Sequence, residues 1–250
     1  MKKLDSIITF KNWRDNIKDD MGFVPTLGGL HDGHLSLIKE SIEKNALTVV
    51  SIFLNPTQFN NESDLSNYPA KLSEDLEKLK KLKVDAVFTP SKKDIYPNGY
   101  IYKISELKNS SVLEGEFRPG HYEGVLTVVM KLLNIVSPSN AYFGEKDFQQ
   151  YILIKEMVKD FYMDINIIAL ETIREDSGLA MSSRNKRLSE EAKQKAALVY
   201  KSLIESKSDE DAKELLEKNG FNVEYIKSWM GRRFAAVEIE KVRLIDNVKI

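Results

Sequence analysis

The chain has 250 residues, 42% hydrophobic and 30% charged, the make-up of a folded globular protein with length for a sizeable core in one domain or two unequal ones. Its 37 Lys and Arg stand against 38 Asp and Glu, a formal charge of −1, so no global basic field recruits nucleic acid. It contains no cysteine, which excludes disulfide staples, Cys-type zinc sites and a thiol nucleophile, and fits a reducing compartment.

The opening stretch MKKLDSIITFKNWRDN begins with two lysines after the methionine, carries a third at Lys11, and has no long apolar segment. It reads as neither a signal peptide nor a membrane span, and the expectation is a cytoplasmic protein. Short apolar runs then alternate with helix-length amphipathic segments. Residues 21–26, 47–54, 84–89, 140–145 and 164–170 read as strands, nearly continuous in apolar residues as strands covered on both faces are. Between them GHLSLIKESIEKN, PAKLSEDLEKLKKL, EGVLTVVMKLLNIV and KDFQQYILIKEMVKDF have helical spacing. This β–α–β alternation predicts an α/β fold with a doubly wound parallel sheet and right-handed crossovers, whose ligands bind at the carboxyl ends of the strands.

The character changes near residue 175. REDSGLAMSSRNKRLS (174–189) is a polar loop; two charged helices and three short β runs, FNVEYIKSW, RFAAVEIE and VRLIDNVKI, follow. The expected division is a Rossmann-like domain over 1–174 and a smaller α+β domain over 175–250, with the loop as hinge or lid.

Two of the three histidines, His31 and His34, fall in VPTLGGLHDGHLSL. Gly28 and Gly29 let the chain turn after the strand, and a helix beginning near 31–33 places the two imidazoles on one face. There the free N–H groups and the helix dipole favour an anion. Most histidines are surface or core-satisfied residues. Metal ligation would need further ligands from His121 or carboxylates, and the glutamate of H-E-x-x-H is missing. No dinucleotide or Walker glycine pattern occurs.

HDGH after PTLGGL resembles the H-x-G-H signature of the nucleotidyl-transferring superfamily that includes class I aminoacyl-tRNA synthetases. VVSIFLNPTQFN, YPAKLSEDLEKL, LEGEFRPGHYEGVLTVVMKLLNIV, FGEKDFQQ, GLAMSSRN and VRLIDN follow in order. Together these are similar to the pantoate–β-alanine ligase family along nearly the whole chain. That resemblance implies ATP-dependent condensation of pantoate with β-alanine through a pantoyl adenylate, releasing AMP and pyrophosphate.

The resemblance also implies site residues. Leu27, Gly28, Gly29, Leu30, His31, Asp32, Gly33 and His34 form the nucleotide loop, with the two histidines on ATP phosphates and His34 as proton donor. Gly144, Glu145, Lys146 and Asp147 flank the nucleotide, Lys146 on a phosphate and Asp147 on a ribose hydroxyl. Ile173 gives a backbone contact to adenine. Met181, Ser182, Ser183 and Arg184 resemble the mobile phosphate loop of the superfamily; hydroxyls and a guanidinium suit the β- and γ-phosphates. Gln58 and Gln150 correspond to the pantoate-binding glutamines, with Gln58 also beside β-alanine; an amide offers donor and acceptor without charge. ATP is expected as its Mg²⁺ complex. Asp75 is read either as a magnesium ligand or as compensation of a helix N-terminus.

The resemblance further implies a homodimer through the first domain, with TVVSIFL (48–54) as a candidate segment. Nucleic acid and membrane are not expected partners. Three departures from the family pattern stand out: Leu27 for methionine, Gly29 for alanine or asparagine, with some looseness expected at the turn, and Glu240 in a second domain expected to be shorter than usual. Another H-x-G-H nucleotidyltransferase and a non-catalytic nucleotide-binding relative are the alternatives.

Overall fold

A computed structural model describes residues 1–250. In chain order the elements are β1 (Lys2–Leu4), α1 (Ile7–Arg14), β2 (Met21–Thr26), α2 (Asp32–Lys44), β3 (Leu47–Ile52), α3 (Glu62–Ser66), α4 (Leu72–Lys81), β4 (Ala86–Phe88), α5 (Lys92–Ile95), α6 (Glu114–Phe117), α7 (His121–Val136), β5 (Asn140–Gly144), α8 (Phe148–Asp160) and β6 (Asn166–Leu170). They continue with α9 (Glu190–Glu205), α10 (Asp209–Lys218), β7 (Asn222–Trp229), β8 (Arg232–Ile239) and β9 (Val242–Lys249). Short 3₁₀ turns cover Pro56–Gln58, Asn109–Ser111, Glu145–Asp147 and Ser183–Arg187. No helix is long and apolar enough to cross a membrane.

Six strands form one sheet in the order β1-β4-β3-β2-β5-β6, every pair parallel. The order steps outward from β2 in both directions, so the carboxyl ends of β2 and β5 flank the point where the winding reverses, the usual place for a ligand crevice. Each central strand divides its side chains between two cores. Phe23, Val49, Phe88 and Phe143 pack with Phe10, Leu126, Leu133 and Ile154, whereas Val24, Val50, Val87 and Tyr142 pack with Leu37, Ile38 and Leu79. Burial on both faces is why these strands read as unbroken apolar runs.

The segment TVVSIFL does not offer a dimer surface. It is mainly β3, paired on both edges, with Val49 and Val50 fully buried. A buried parallel strand and an interface share a composition, which is why sequence could not separate them.

The chain divides into two compact units: Met1–Gly144 with Gln149–Leu170, and Glu145–Phe148 with Glu171–Ile250. The second is built on the antiparallel sheet β7-β8-β9. Ala196, Val199, Leu203 and Leu216 of its helices pack on Ala235, Val237, Leu244 and Val248 of the sheet. Its hairpins close through Met230–Gly231 and Glu240–Lys241, both pairs at positive φ, the backbone that matches strand twist in two-residue turns. The Glu240 carboxylate accepts from the Ser189 backbone N–H at 2.9 Å and its hydroxyl at 2.7 Å. Glu240 thereby ties the β8–β9 turn to the residue that caps α9.

Candidate active site

In the first unit, the loop after β2 turns through Gly28 (φ 88°) and Gly29 (φ 67°), a conformation that side chains resist. The Thr26 hydroxyl accepts from the Gly28 N–H and donates to the Ser51 carbonyl. Asp75 of α4, 2% exposed, accepts from the Gly29 N–H on one oxygen and the Leu30 N–H on the other, both at 2.8 Å. Lys78, one turn further on, donates to the Leu30 carbonyl at 2.6 Å. Gly29 is therefore pinned, and the looseness expected of it is absent. Asp75 lies in the first turn of α4, as its reading as compensation of a helix N-terminus has it, and both oxygens of its carboxylate are committed to the backbone of the loop.

His31 is the N-cap of α2 and His34 its third residue. The His34 Nδ1 accepts from the His31 N–H at 3.4 Å, and the two rings lie 4.1 Å apart, centroid to centroid. Because Nδ1 accepts, the proton of the neutral ring sits on Nε2. Asp32 is exposed and Gly33 half-buried on the same first turn, while Leu27 is half-buried and Leu30 fully buried. Gly144 closes β5 on the same unit.

Gln58 sits on the 3₁₀ turn Pro56–Gln58. Buried Asn55 donates to the Gln58 Oε1 at 3.0 Å and to the Gly124 carbonyl at 3.2 Å. Its own Oδ1 accepts from Tyr96 OH at 2.9 Å and Thr57 Oγ1 at 3.0 Å. Burial pushes the Tyr96 phenol up to about 12, so it stays a donor and holds the Asn55 amide in one orientation. Gln58 is left with its Nε2 protons for a ligand. The turn rests directly on α7, where a Cβ on Gly124 would lie 2.4 Å from the Thr57 carbonyl.

His121, the third histidine, donates from Nδ1 to the Gln58 carbonyl at 2.8 Å, and its Nε2 takes Arg118 at 3.2 Å. Arg118 also reaches the Gln58 carbonyl and the Glu114 carboxylate. His121 therefore braces the glutamine turn. Gln150 is half-buried on α8. Its buried neighbour Gln149 donates to the Asn109 and Val112 carbonyls and accepts from Tyr122 OH and the Glu114 N–H. Asn55, His121, Arg118 and Gln149 were missed as site-building residues. All four lie inside the motifs of the resemblance, but the roles of Asn55 and Arg118 depend on contacts 60 or more residues away in sequence.

The remaining expected residues belong to the second unit. The Glu145 carboxylate is paired with Arg232. Lys146 is half-buried and Asp147 exposed. Met181 donates its N–H to the Ile173 carbonyl at 2.9 Å, and Arg174 bridges to Ala180. The Arg174 guanidinium makes a bidentate pair with Asp246 (2.6 and 2.9 Å), donates to the Gly178 carbonyl and stacks on Tyr200. Ser182 caps the turn Ser183–Arg187 by accepting from the Arg184 N–H; Ser183 and Asn185 are buried. Asn185 donates to Glu175 and to the Ala180 carbonyl. The expected lid is thus a hairpin and turn fastened to its own unit. No cluster of three or more His, Asp or Glu side chains could hold a metal ion.

The doubly wound parallel sheet thus carries paired histidines at the helix N-terminus after its central strand, where free N–H groups suit an anion. The model of the pantoate-beta-alanine ligase family matches residues 1–249. A pantothenate synthetase of Bdellovibrio bacteriovorus is 49% identical over 241 residues, 96% of each chain. One from Francisella philomiragia is 47% identical over 248 residues, covering 97% of this chain and 95% of its own length. The crystal structure of pantoate-beta-alanine ligase from Francisella tularensis, complexed with beta-gamma ATP and beta-alanine, superposes with a TM-score of 0.96 at 45% identity, covering all of this chain and 97% of that one. Pantothenate synthetase from Thermus thermophilus gives 0.94 at 33% identity, over all of this chain and 99% of that one. The chain belongs to the pantoate–β-alanine ligase family, enzymes that form an amide bond. With coverage this complete, the expectation of a shortened second domain is not met against these relatives.

Proposed function

We propose that the chain carries out the ATP-dependent joining of (R)-pantoate to β-alanine. The observation that carries this reading is the histidine pair on a loop pinned by Asp75 at the end of the central strand. Pantoate's carboxylate attacks the α-phosphorus of ATP, the bond to the β-phosphate oxygen breaks, and pyrophosphate leaves. His34, with its proton on Nε2, donates to the charge growing on the phosphoryl oxygens, and His31 sits beside it. Lys146, Ser182, Ser183 and Arg184 neutralise and orient the phosphates. Gly144, Asp147 and the Ile173 backbone take the adenosine, with Met181 alongside.

The β-alanine amine then attacks the acyl carbon of pantoyl adenylate, loses a proton, and expels AMP. Gln58 donates from Nε2 to the hydroxy acid, a polarity its bond from Asn55 supports, and Gln150 is the second pantoate amide. Magnesium arrives as the ATP complex, held by phosphates and water. That assignment is supported by the commitment of both Asp75 oxygens to the backbone of the histidine loop. The enzyme works as a cytoplasmic homodimer joined through the first unit by a surface other than β3, which light scattering tests.

A coupled AMP-release assay with MgATP and pantoate, run with and without β-alanine, tests the activity. AMP formation that requires all three substrates is the expected result; none would overturn the reading. Gln58→Ala should raise the KM of pantoate about tenfold, the loss of roughly one hydrogen bond to a charged group, and leave that of ATP within about twofold. A shift confined to ATP would remove Gln58 from the pantoate site.

A further inference from the structure

VRLIDN is a motif of the sequence that the reaction as described leaves without a task. We infer that its last residue, Asn247, is a positioning residue for Lys146. The inference rests on the assignment of Lys146 to a phosphate of ATP.

Asn247 lies on β9, opposite Phe234 of β8, and is 2% exposed. Its Nδ2 donates to two successive carbonyls of the Glu145–Asp147 turn, Glu145 and Lys146, each at 2.9 Å. One amide thus fixes the peptide planes on both sides of the Lys146 α-carbon, and hence the direction in which its side chain leaves the backbone. The amide cannot flip, because the Arg232 guanidinium donates to its Oδ1. Arg232 is itself held by the Glu145 carboxylate and lies over the Phe148 ring, 4.2 Å from its centroid. Phe148 in turn meets Phe234. The turn is gripped at both ends and in the middle by strands β8 and β9. Its own 3₁₀ geometry is too short and poorly bonded to hold so exact a direction.

The neighbouring Asp246 holds the other phosphate element through Arg174. Two consecutive residues of one strand therefore fasten the turn that bears Lys146 and the hairpin that leads to Ser182–Arg184.

The test is a double-mutant cycle on the full chain, read as pantoate-dependent exchange of pyrophosphate with ATP. Asn247→Ala should lower the exchange rate about 10- to 100-fold, the scale of a small misplacement of a reacting group. It should raise the KM of ATP and leave that of pantoate within about twofold. In a Lys146→Ala background the same change should cost less than about twofold, because the group it positions is gone. Equal losses in both backgrounds would overturn the inference while leaving Lys146 on its phosphate. Wild-type exchange by Lys146→Ala would instead remove the assignment on which the inference rests. Asn247→Asp keeps the acceptor for Arg232 but sets oxygen against the two carbonyls. It should fold, with the same loss of exchange, and guards against misreading an unfolded alanine variant; a folded Asn247→Asp with normal exchange would also overturn the inference.

Discussion

The two units fix their site-bearing segments by different means. In the first, a loop of left-handed glycines is held by uncharged backbone groups bonded to one buried carboxylate, Asp75. In the second, a hairpin and a short turn are held by guanidinium forks, Arg174 on Asp246 and Arg232 on Glu145, with Asn247 between strand and turn. The difference follows from the sheets. A parallel sheet buried on both faces presents the ends of its strands, where free N–H groups need an acceptor. A three-stranded antiparallel sheet has less core to offer, and long planar side chains reach from it to loops that it cannot bury.

The largest effect expected on this comparison is at the histidines. His34→Ala should lower pantoate-dependent pyrophosphate release about 10²- to 10³-fold, the usual loss on removing one donor from a developing anion, while ATP binding measured by calorimetry weakens only modestly. Near-normal release would take His34 out of the chemistry. Next comes the anchor. Asp75→Ala strands two buried N–H groups at about 1–3 kcal/mol each. Its melting temperature should fall by roughly 4–24 °C on the scaling of about 2–4 °C per kcal/mol for chains of this size. If Asp75 acts through the loop, the magnesium concentration for half-maximal activity stays put; a large rise in it would restore Asp75 as a ligand.

Asp209 of α10 probes the second unit. Burial alone would raise its carboxyl, but hydrogen bonds from the Ser228 side chain and backbone and from Arg233 together hold it below its ordinary 3.8. A carboxyl depressed on folding adds stability that is complete above about pH 4 and is lost as pH falls through the lower, folded value. Asp209→Asn should therefore melt several degrees below the parent at pH 7, with the gap narrowing steadily under pH 4; a gap independent of pH would show the pair to be electrostatically inert. The smallest effect is at Glu240. Its carboxyl is lowered by its bonds from Ser189, yet it is fully exposed, and Glu240→Ala should shift the melting temperature by about 1 °C or less.

Most of the parallel sheet was legible because burial on both faces leaves unmistakable apolar runs, as at Val49–Val50 and Phe23–Val24. Strand β1 was not: three residues, Lys2–Leu4, with two lysines at the sheet edge, give no run to read. Helix α1 has a capping box at Ser6 and Thr9, but only Phe10 of its residues is buried, so its pattern is faint. At the site, the histidines, glutamines and SSRN hairpin could be named from motif order. What holds them could not. Asp75 meets Gly29 across 46 residues and Asn247 meets Lys146 across 101, and no local periodicity encodes such pairings.

The return of Glu145–Phe148 to the second unit has a consequence for dissection. The chain passes from one unit to the other at 144/145, 148/149 and 170/171, so no single cut separates them. A fragment beginning at Glu171 would keep all three strands of its sheet yet lose the piece its arginine and asparagine grip, leaving Arg232 and Asn247 facing water. To isolate that half, an engineer would have to graft four residues, Glu145 to Phe148, back onto it.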